Sequence, residues 1–299
     1  MRHAILGAGG VGGFIGAVLG QGGAEVTVLL RPESFAAHPD ALQLESPLGA
    51  ATARVSRATS LEHPVDVLWV TTKATQLETA LRAVPEPAHA GVVVPLLNGV
   101  EHVELLRARL RGAEVVPGTI AGELERTAPG RVAHRSPFAR LAFAAQGRER
   151  LERPAHTLER FGCAVSWVVD EATLLWRKLV MLAPFALATS AAGRPIGEVR
   201  ADPQWHERLE EAAREACAVA LAEGAGVDTD EVIRALNTFP APMRSSMQRD
   251  VAAGRPPELD AIAGPIVRGG GRQGIDVPVT TALAAEVERR WRAASRPAG

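Results

Sequence analysis

Of the 33 basic residues in this 299-residue chain only two, Lys73 and Lys178, are lysine, and the other 31 are arginine. Arginine can hold charge, contact phosphate or pair with a carboxylate, but with a pKa above about 12 it does not release a proton near neutrality. A lysine kept in so arginine-rich a chain is a candidate proton donor. Asparagine is equally scarce, present only as Asn98 and Asn237. Lys178 lies in the run EATLLWRKLVMLAP at 171–184, whose spacing predicts a helix with Leu174, Leu182 and Phe185 on the lysine's face. Burial on such a face depresses an ammonium pKa and makes a usable general acid; a lysine at its edge would instead snorkel to water.

A second constellation is Gly7, Ala8, Gly9, Gly10, Val11 and Gly12, a G-x-G-x-x-G pattern between a short apolar run and a helical one. The first glycine permits a tight turn and the second lets backbone approach a pyrophosphate. The third allows close helix–strand packing, while helix N–H groups face the anion. Arg31 ends the second apolar run, where NAD-binding proteins usually carry an acid for the ribose hydroxyls. A guanidinium there suits a 2′-phosphate, hence NADP over NAD, although Glu33 two residues on still reaches a ribose. Lys73 and Asn98-Gly99 each follow a further apolar run, at strand ends where open α/β sheets bind ligands. Asn-Gly is equally a turn signal, and Lys73 equally a surface charge at a helix start.

The elements that must position these groups follow from periodicity. Buried strands are expected at 3–6, 25–30, 65–71 and 91–97, separated by helical segments, which implies a parallel doubly wound sheet. Short β-rich runs from 114 to 145, broken by Pro129-Gly130 and Ser136-Pro137, suggest hairpins or strands added at the sheet edge. Beyond about residue 170 the segments 171–192, 205–224, 229–237, 258–273 and 278–295 have helical spacing. The expected fold class is therefore α/β, an N-terminal Rossmann doubly wound parallel sheet over 1–168 followed by an all-α C-terminal domain over 169–299.

Composition excludes several function classes. With 46% hydrophobic and 22% charged residues and no apolar run near the roughly 18 residues of a membrane span, the expectation is a globular protein with no membrane partner. A net charge of −1 leaves no electrostatic footprint for nucleic acid. Cys163 and Cys217 cannot build a disulfide framework or a cysteine-rich zinc site, and no metal-ligand spacing appears, so no metal is expected. His134 and His206 read as structural or solvated. Met1-Arg2-His3 runs straight into a strand, leaving no room for a signal peptide, and the expected location is the cytoplasm.

In order and spacing these pieces resemble the ketopantoate reductase (2-dehydropantoate 2-reductase) family over nearly the whole chain. The resemblance is carried by GAGGVG at 7–12, Arg31, TKATQ at 72–76, NG at 98–99, LWRKL at 175–179, SSMQRD at 245–250 and PELD at 257–260. It implies an N-terminal Rossmann domain joined to a helical domain that serves substrate binding and dimerisation. It further implies NADPH-dependent reduction of a 2-keto acid, 2-dehydropantoate to pantoate in pantothenate biosynthesis, by a protein that is commonly a homodimer.

By the same resemblance Lys178 matches the proton donor to the ketone oxygen, and Glu258 the acid that orders this lysine and contacts cofactor. Asn98 and Lys73 match cofactor- and substrate-contacting positions, and Ser246 a contact to the substrate carboxylate. Family members carry asparagine four and eight residues after the lysine, where this chain has Leu182 and Ala186. That departure implies a more apolar substrate wall, with Thr189 as the nearest replacement hydroxyl. The rival readings are a related NADP-dependent 2-keto acid, β-hydroxyacid or opine-type dehydrogenase, and a non-catalytic NADP sensor.

Overall fold

The computed structural model describes residues 1–85 and 90–295. The chain divides into two compact units, one of Met1–Leu97 with Glu101–Leu174 and one of Asn98–Val100 with Leu175–Gly299. Three residues of the loop between a strand and a helix of the first unit thus belong to the second.

The first unit begins with β1 (Arg2–Leu6), α1 (Gly10–Gln21), β2 (Glu25–Leu29), α2 (Pro32–Phe35), β3 (Ala41–Glu45), β4 (Ala51–Arg54), β5 (Ser56–Ala58) and β6 (Val65–Val70). It continues through α3 (Leu77–Ala80), β7 (Ala90–Pro95), α4 (His102–Arg109), β8 (Glu114–Val115), β9 (Gly118–Ala121) and β10 (Leu124–Ala128). It closes with β11 (Arg131–His134), β12 (Arg140–Ala144), α5 (Arg148–Arg160) and β13 (Ala164–Val168). The central sheet runs β5-β2-β1-β6-β7-β8 and every pair in it is parallel. Numbered by their own order in the chain these strands read 3-2-1-4-5-6, the Rossmann arrangement. Covered on both faces, their apolar runs do not alternate: Val67, Leu68, Trp69 and Val70 are all fully buried.

The runs from 114 to 145 take both expected forms in part: β10 and β11 pair as an antiparallel hairpin across Pro129-Gly130, and β8 joins the edge of the central sheet. A correction is needed for the rest, which build two further sheets, β10-β11-β3-β4 and β13-β12-β9, in place of more edge strands. The reason is non-local pairing: β11 binds β3 in parallel, with Val132 opposite Leu44, and so recruits the hairpin β3–β4 from the segment between β2 and β6 that was expected to be helical. Helix α1 takes the load of this second sheet on a glycine stripe. A Cβ at Gly16 would lie 2.6 Å from Leu42 Cδ1, one at Gly20 2.6 Å from Ala53 Cβ, and one at Gly13 would overlap Val132. These three positions share one helix face.

The helical unit is reached through α6 (Glu171–Ala192), which starts in the first unit. It contains α7 (Ile196–Ala201), α8 (Pro203–Ala222), α9 (Thr229–Thr238), α10 (Ser246–Ala252), α11 (Leu259–Gln273) and α12 (Pro278–Ala294), with no strand among the described residues. Five of the helices stand where periodicity placed them; α7 and α10 were too short to register in it. The buried Glu215 of α8 accepts the N–H groups of Val279 and Thr280 at 2.8 and 2.7 Å and so caps α12. The expectation that no segment approaches membrane-spanning length also needs correction. The 22-residue α6 is long and apolar enough by composition, because Arg177 and Lys178 are the only charges in its apolar window, but most of that window is buried inside the protein.

Candidate active site

The glycine loop is shaped from the neighbouring strand end. Gly7 has φ +109°, where a side chain would be strained, and a Cβ there would lie 2.7 Å from the Thr72 nitrogen. Thr71 donates its N–H to Leu6 O at 2.9 Å, continuing the β1–β6 ladder, and its hydroxyl to Gly7 O at 2.8 Å. A Cβ on Gly12 would lie 2.5 Å from that same hydroxyl, and one on Gly10 2.5 Å from Leu124 O. Ala8 and Val11 pack against the core, whereas Gly9 looks into open space. Helix α1 starts there with no side-chain cap and no acidic residue in its first turn. The Thr72 hydroxyl beside the loop is buried without a hydrogen-bond partner among the described residues. An uncapped helix N-terminus, an open glycine and an orphaned hydroxyl fit the pyrophosphate of a dinucleotide.

Arg31 follows β2, whose Leu29 is in register with Leu6 of β1, so the arginine emerges beside the glycine loop. Its Nε lies 3.4 Å from Glu33 Oε1, and both side chains are exposed. Lys73 stands past the end of β6 in extended conformation, capping a 3₁₀ turn at Ala74–Gln76.

The helical unit gathers a different group. Lys178 keeps some surface as a residue, but its ammonium is deeply desolvated, and burial lowers its pKa from 10.5 to about 8 against the opposing pull of the Glu258 carboxylate. Glu258, 8% exposed just before α11, accepts from Asn98 Nδ2 at 3.2 Å across 160 residues of sequence. Asn98 is held there because the next residue, Gly99 at φ +88°, lies so close to the Ala261 carbonyl of α11 that a Cβ would collide with it. Pro265, four residues after Ala261, has no N–H to give that carbonyl. The arrangement is an acidic ammonium with a buried carboxylate partner oriented by an amide, suited to passing a proton to an oxygen.

The other expected substrate residues differ in their exposure. Leu182, one turn beyond Lys178, is half-buried. Ala186 is fully buried and exposes nothing for a ligand to touch. Thr189 is no replacement hydroxyl: fully buried, it donates to Phe185 O at 2.7 Å and pairs with Ser245 Oγ at 3.1 Å. Ser246 stands exposed at the first position of α10, while its neighbour Ser245 is buried and caps the helix, accepting from Gln248 N–H at 3.0 Å. The sequence signal for the Ser245 cap is S-x-x-Q at 245–248, a capping-box pattern. His134 is a buried structural group bridging the hydroxyls of Ser46 and Ser136, each at 2.8 Å. His206 pairs with Asn237 at 2.9 Å and Glu210 at 3.3 Å. Among the described residues no cluster of three or more His, Cys, Asp or Glu is placed to hold a metal.

Comparison with known proteins agrees along the chain. Residues 3–146 match the family model described as Ketopantoate reductase PanE/ApbA, and residues 172–290 the one described as Ketopantoate reductase PanE/ApbA C terminal. A 2-dehydropantoate 2-reductase of Caulobacter vibrioides is 32% identical over 291 residues, covering 94% of this chain and 96% of that protein. The uncharacterized oxidoreductase YkpB of Bacillus subtilis is 28% identical over 297 residues, covering 96% and 98%. The crystal structure of a PanE/ApbA family ketopantoate reductase from Ralstonia eutropha JMP134 superimposes with a TM-score of 0.86 at 27% identity, covering 99% of this chain and 100% of that one.

Proposed function

The chain belongs to the ketopantoate reductase family, whose members are oxidoreductases acting on a CH–OH group, and from that premise we propose that it reduces a 2-keto acid with NADPH. The reaction the family points to is 2-dehydropantoate to pantoate. The observation that carries the reading is the desolvated Lys178 ammonium, with a pKa near 8, beside a Glu258 carboxylate held by Asn98.

When bound, the reduced nicotinamide supplies the hydride. The Lys178 ammonium donates its proton to the ketone oxygen as the alcohol forms, and near neutrality the lysine is still protonated and able to do so. Glu258 keeps the lysine charged against the cost of burial, and Asn98 fixes the carboxylate. Gly7 to Gly12 cradle the pyrophosphate, Arg31 takes the 2′-phosphate, and Lys73 contacts the cofactor. Ser246 remains the candidate for the substrate carboxylate. In this reading the segment 1–168 binds NADP, and 169–299 serves substrate binding and dimerisation. The protein works as a cytoplasmic homodimer in pantothenate biosynthesis.

One observation favours a second substrate. Beyond Lys178 the same face of α6 offers Leu182, the buried Ala186 and a hydrogen-bonded Thr189, hence no free donor for a substrate hydroxyl. A 2-keto acid with an apolar side chain suits that face better than ketopantoate. The test is NADPH consumption with ketopantoate beside its deoxygenated analogue, trimethylpyruvate. A strong preference for ketopantoate supports the first substrate; equal or better use of the analogue supports the second. In either case Lys178→Ala should cut turnover by about a hundredfold or more while NADPH still binds, and retained turnover would remove Lys178 from the chemistry.

A further inference from the structure

The turn that carries Arg31 has a second charge built into it. Pro32 pushes the residue before it into extended backbone, and Arg31 is found there at φ −67°, ψ 146°, with its carbonyl accepting from Ser34 N–H at 2.9 Å. That closed turn puts Glu33, in the first turn of α2, within 3.4 Å of the Arg31 guanidinium. The turn is braced from β5, the neighbour of β2 in the central sheet. Arg57 donates to Phe35 O at 3.2 Å and to His38 O, and its guanidinium lies 5.0 Å from the centre of the Phe35 ring. Arg57 is therefore committed to holding the loop, and Arg31 is the cation that faces outward at the strand end, already in contact with a carboxylate.

We propose that Glu33 sets the cofactor selectivity of this protein by competing with the adenosine 2′-phosphate of NADP for Arg31, leaving NAD, which carries no such phosphate, less disfavoured. The proposal rests on the NADP reading given above. A 2′-phosphate is a dianion or close to it, and to reach Arg31 it must displace Glu33 and then remain beside its negative charge. Exposed ion pairs are weak, so displacement is feasible, but it subtracts from the binding of NADP and not from that of NAD. A free 2′,3′-diol carries no charge for Glu33 to repel and has hydroxyls that a carboxylate can accept from. One residue thus acts in opposite directions on the two cofactors.

The experiment is calorimetric titration of the intact protein, and of its Glu33→Gln and Arg31→Gln variants, with NADP and NAD, and with 2′-AMP and 5′-AMP as fragments bearing or lacking the 2′-phosphate. Steady-state constants for NADPH and NADH are measured beside them. Glu33→Gln is expected to tighten NADP and 2′-AMP about fivefold, the upper end of what an exposed pair is worth, and to leave NAD unchanged or weaker. The gain should shrink as salt is raised, since charge repulsion is screened. Unchanged NADP affinity in Glu33→Gln, with NADP weakened in Arg31→Gln, overturns the role of Glu33 and leaves Arg31 as the phosphate contact. If neither variant alters NADP, Arg31 is not that contact; if the unaltered protein binds no dinucleotide, the functional reading itself fails. Both variants lie on an exposed turn, and an unchanged melting temperature shows that the comparison is between folded proteins.

Discussion

Lys178 loses a proton near pH 8 where a free lysine loses it at 10.5, because burial disfavours the ammonium and Glu258 only partly restores it. Reduction of a ketone needs the charged form, so turnover in that direction should fall as pH rises through about 8. Oxidation of the alcohol needs the neutral form and should rise over the same range. Glu258→Gln removes the charge that raises the lysine's pKa, and both limbs should then move to lower pH. Rate–pH profiles of the two proteins in both directions test this, and limbs that stay in place would disconnect Glu258 from the proton. At this scale the sequence offered much. Two lysines among 33 basic residues marked Lys73 and Lys178. It did not reveal the Asn98–Glu258 bond, because nothing local joins residues 160 apart.

Helix α1 serves two masters through its glycines. Its first turn leaves Gly9 facing open space, while Gly13, Gly16 and Gly20 let β11, β3 and β4 approach the helix backbone closely. The two roles predict opposite outcomes for the same chemical change. Gly20→Ala puts a methyl 2.6 Å from the rigid Ala53 Cβ, and overpacking of about 1–3 kcal/mol should exceed the gain of about 1 kcal/mol from alanine's helix propensity. Gly9→Ala meets no protein atom, so stability should hold while dinucleotide affinity drops. Denaturant unfolding combined with NADP titration separates them; a stabilised Gly20→Ala would show that the second sheet does not press on the helix. The apolar run and the glycine loop were legible here. The stripe is local too, with glycines at 13, 16 and 20 spaced along one helix face, but only the fold shows which strands press on it.

Over the molecule, acid stability of the first unit should depend on a residue with no part in the chemistry. His3 is buried in β1, accepts from the Trp69 indole N–H at 3.2 Å, and has its pKa lowered from 6.5 to about 4 by burial and the nearby N-terminal ammonium, against Asp66. The folded chain therefore holds His3 neutral, while the unfolded chain protonates it below about pH 6.5. Its contribution is full above 6.5 and is lost as pH falls to about 4, some 3 kcal/mol in all. His3→Gln keeps an acceptor for the indole and removes the titration, so the fall in unfolding free energy between about pH 7 and 4.5 should be smaller in the variant. An equal fall in both proteins would assign acid sensitivity elsewhere.

The sequence by itself determined what is local or periodic: the glycine loop, the parallel apolar strands, five of the helices, and the two lysines that stand out among 33 basic residues. A turn is set by a few residues and a helix by a 3.6-residue repeat, so both are written in contiguous stretches. Tertiary structure decided the rest. The β3–β11 pairing that builds the second sheet, the assignment of Asn98–Val100 to the helical unit and the Thr189–Ser245 bond all join residues far apart in the chain. Strand partners and buried hydrogen bonds depend on which surfaces meet once the chain has collapsed, and a short β-rich run or a lone hydroxyl carries no mark of its partner.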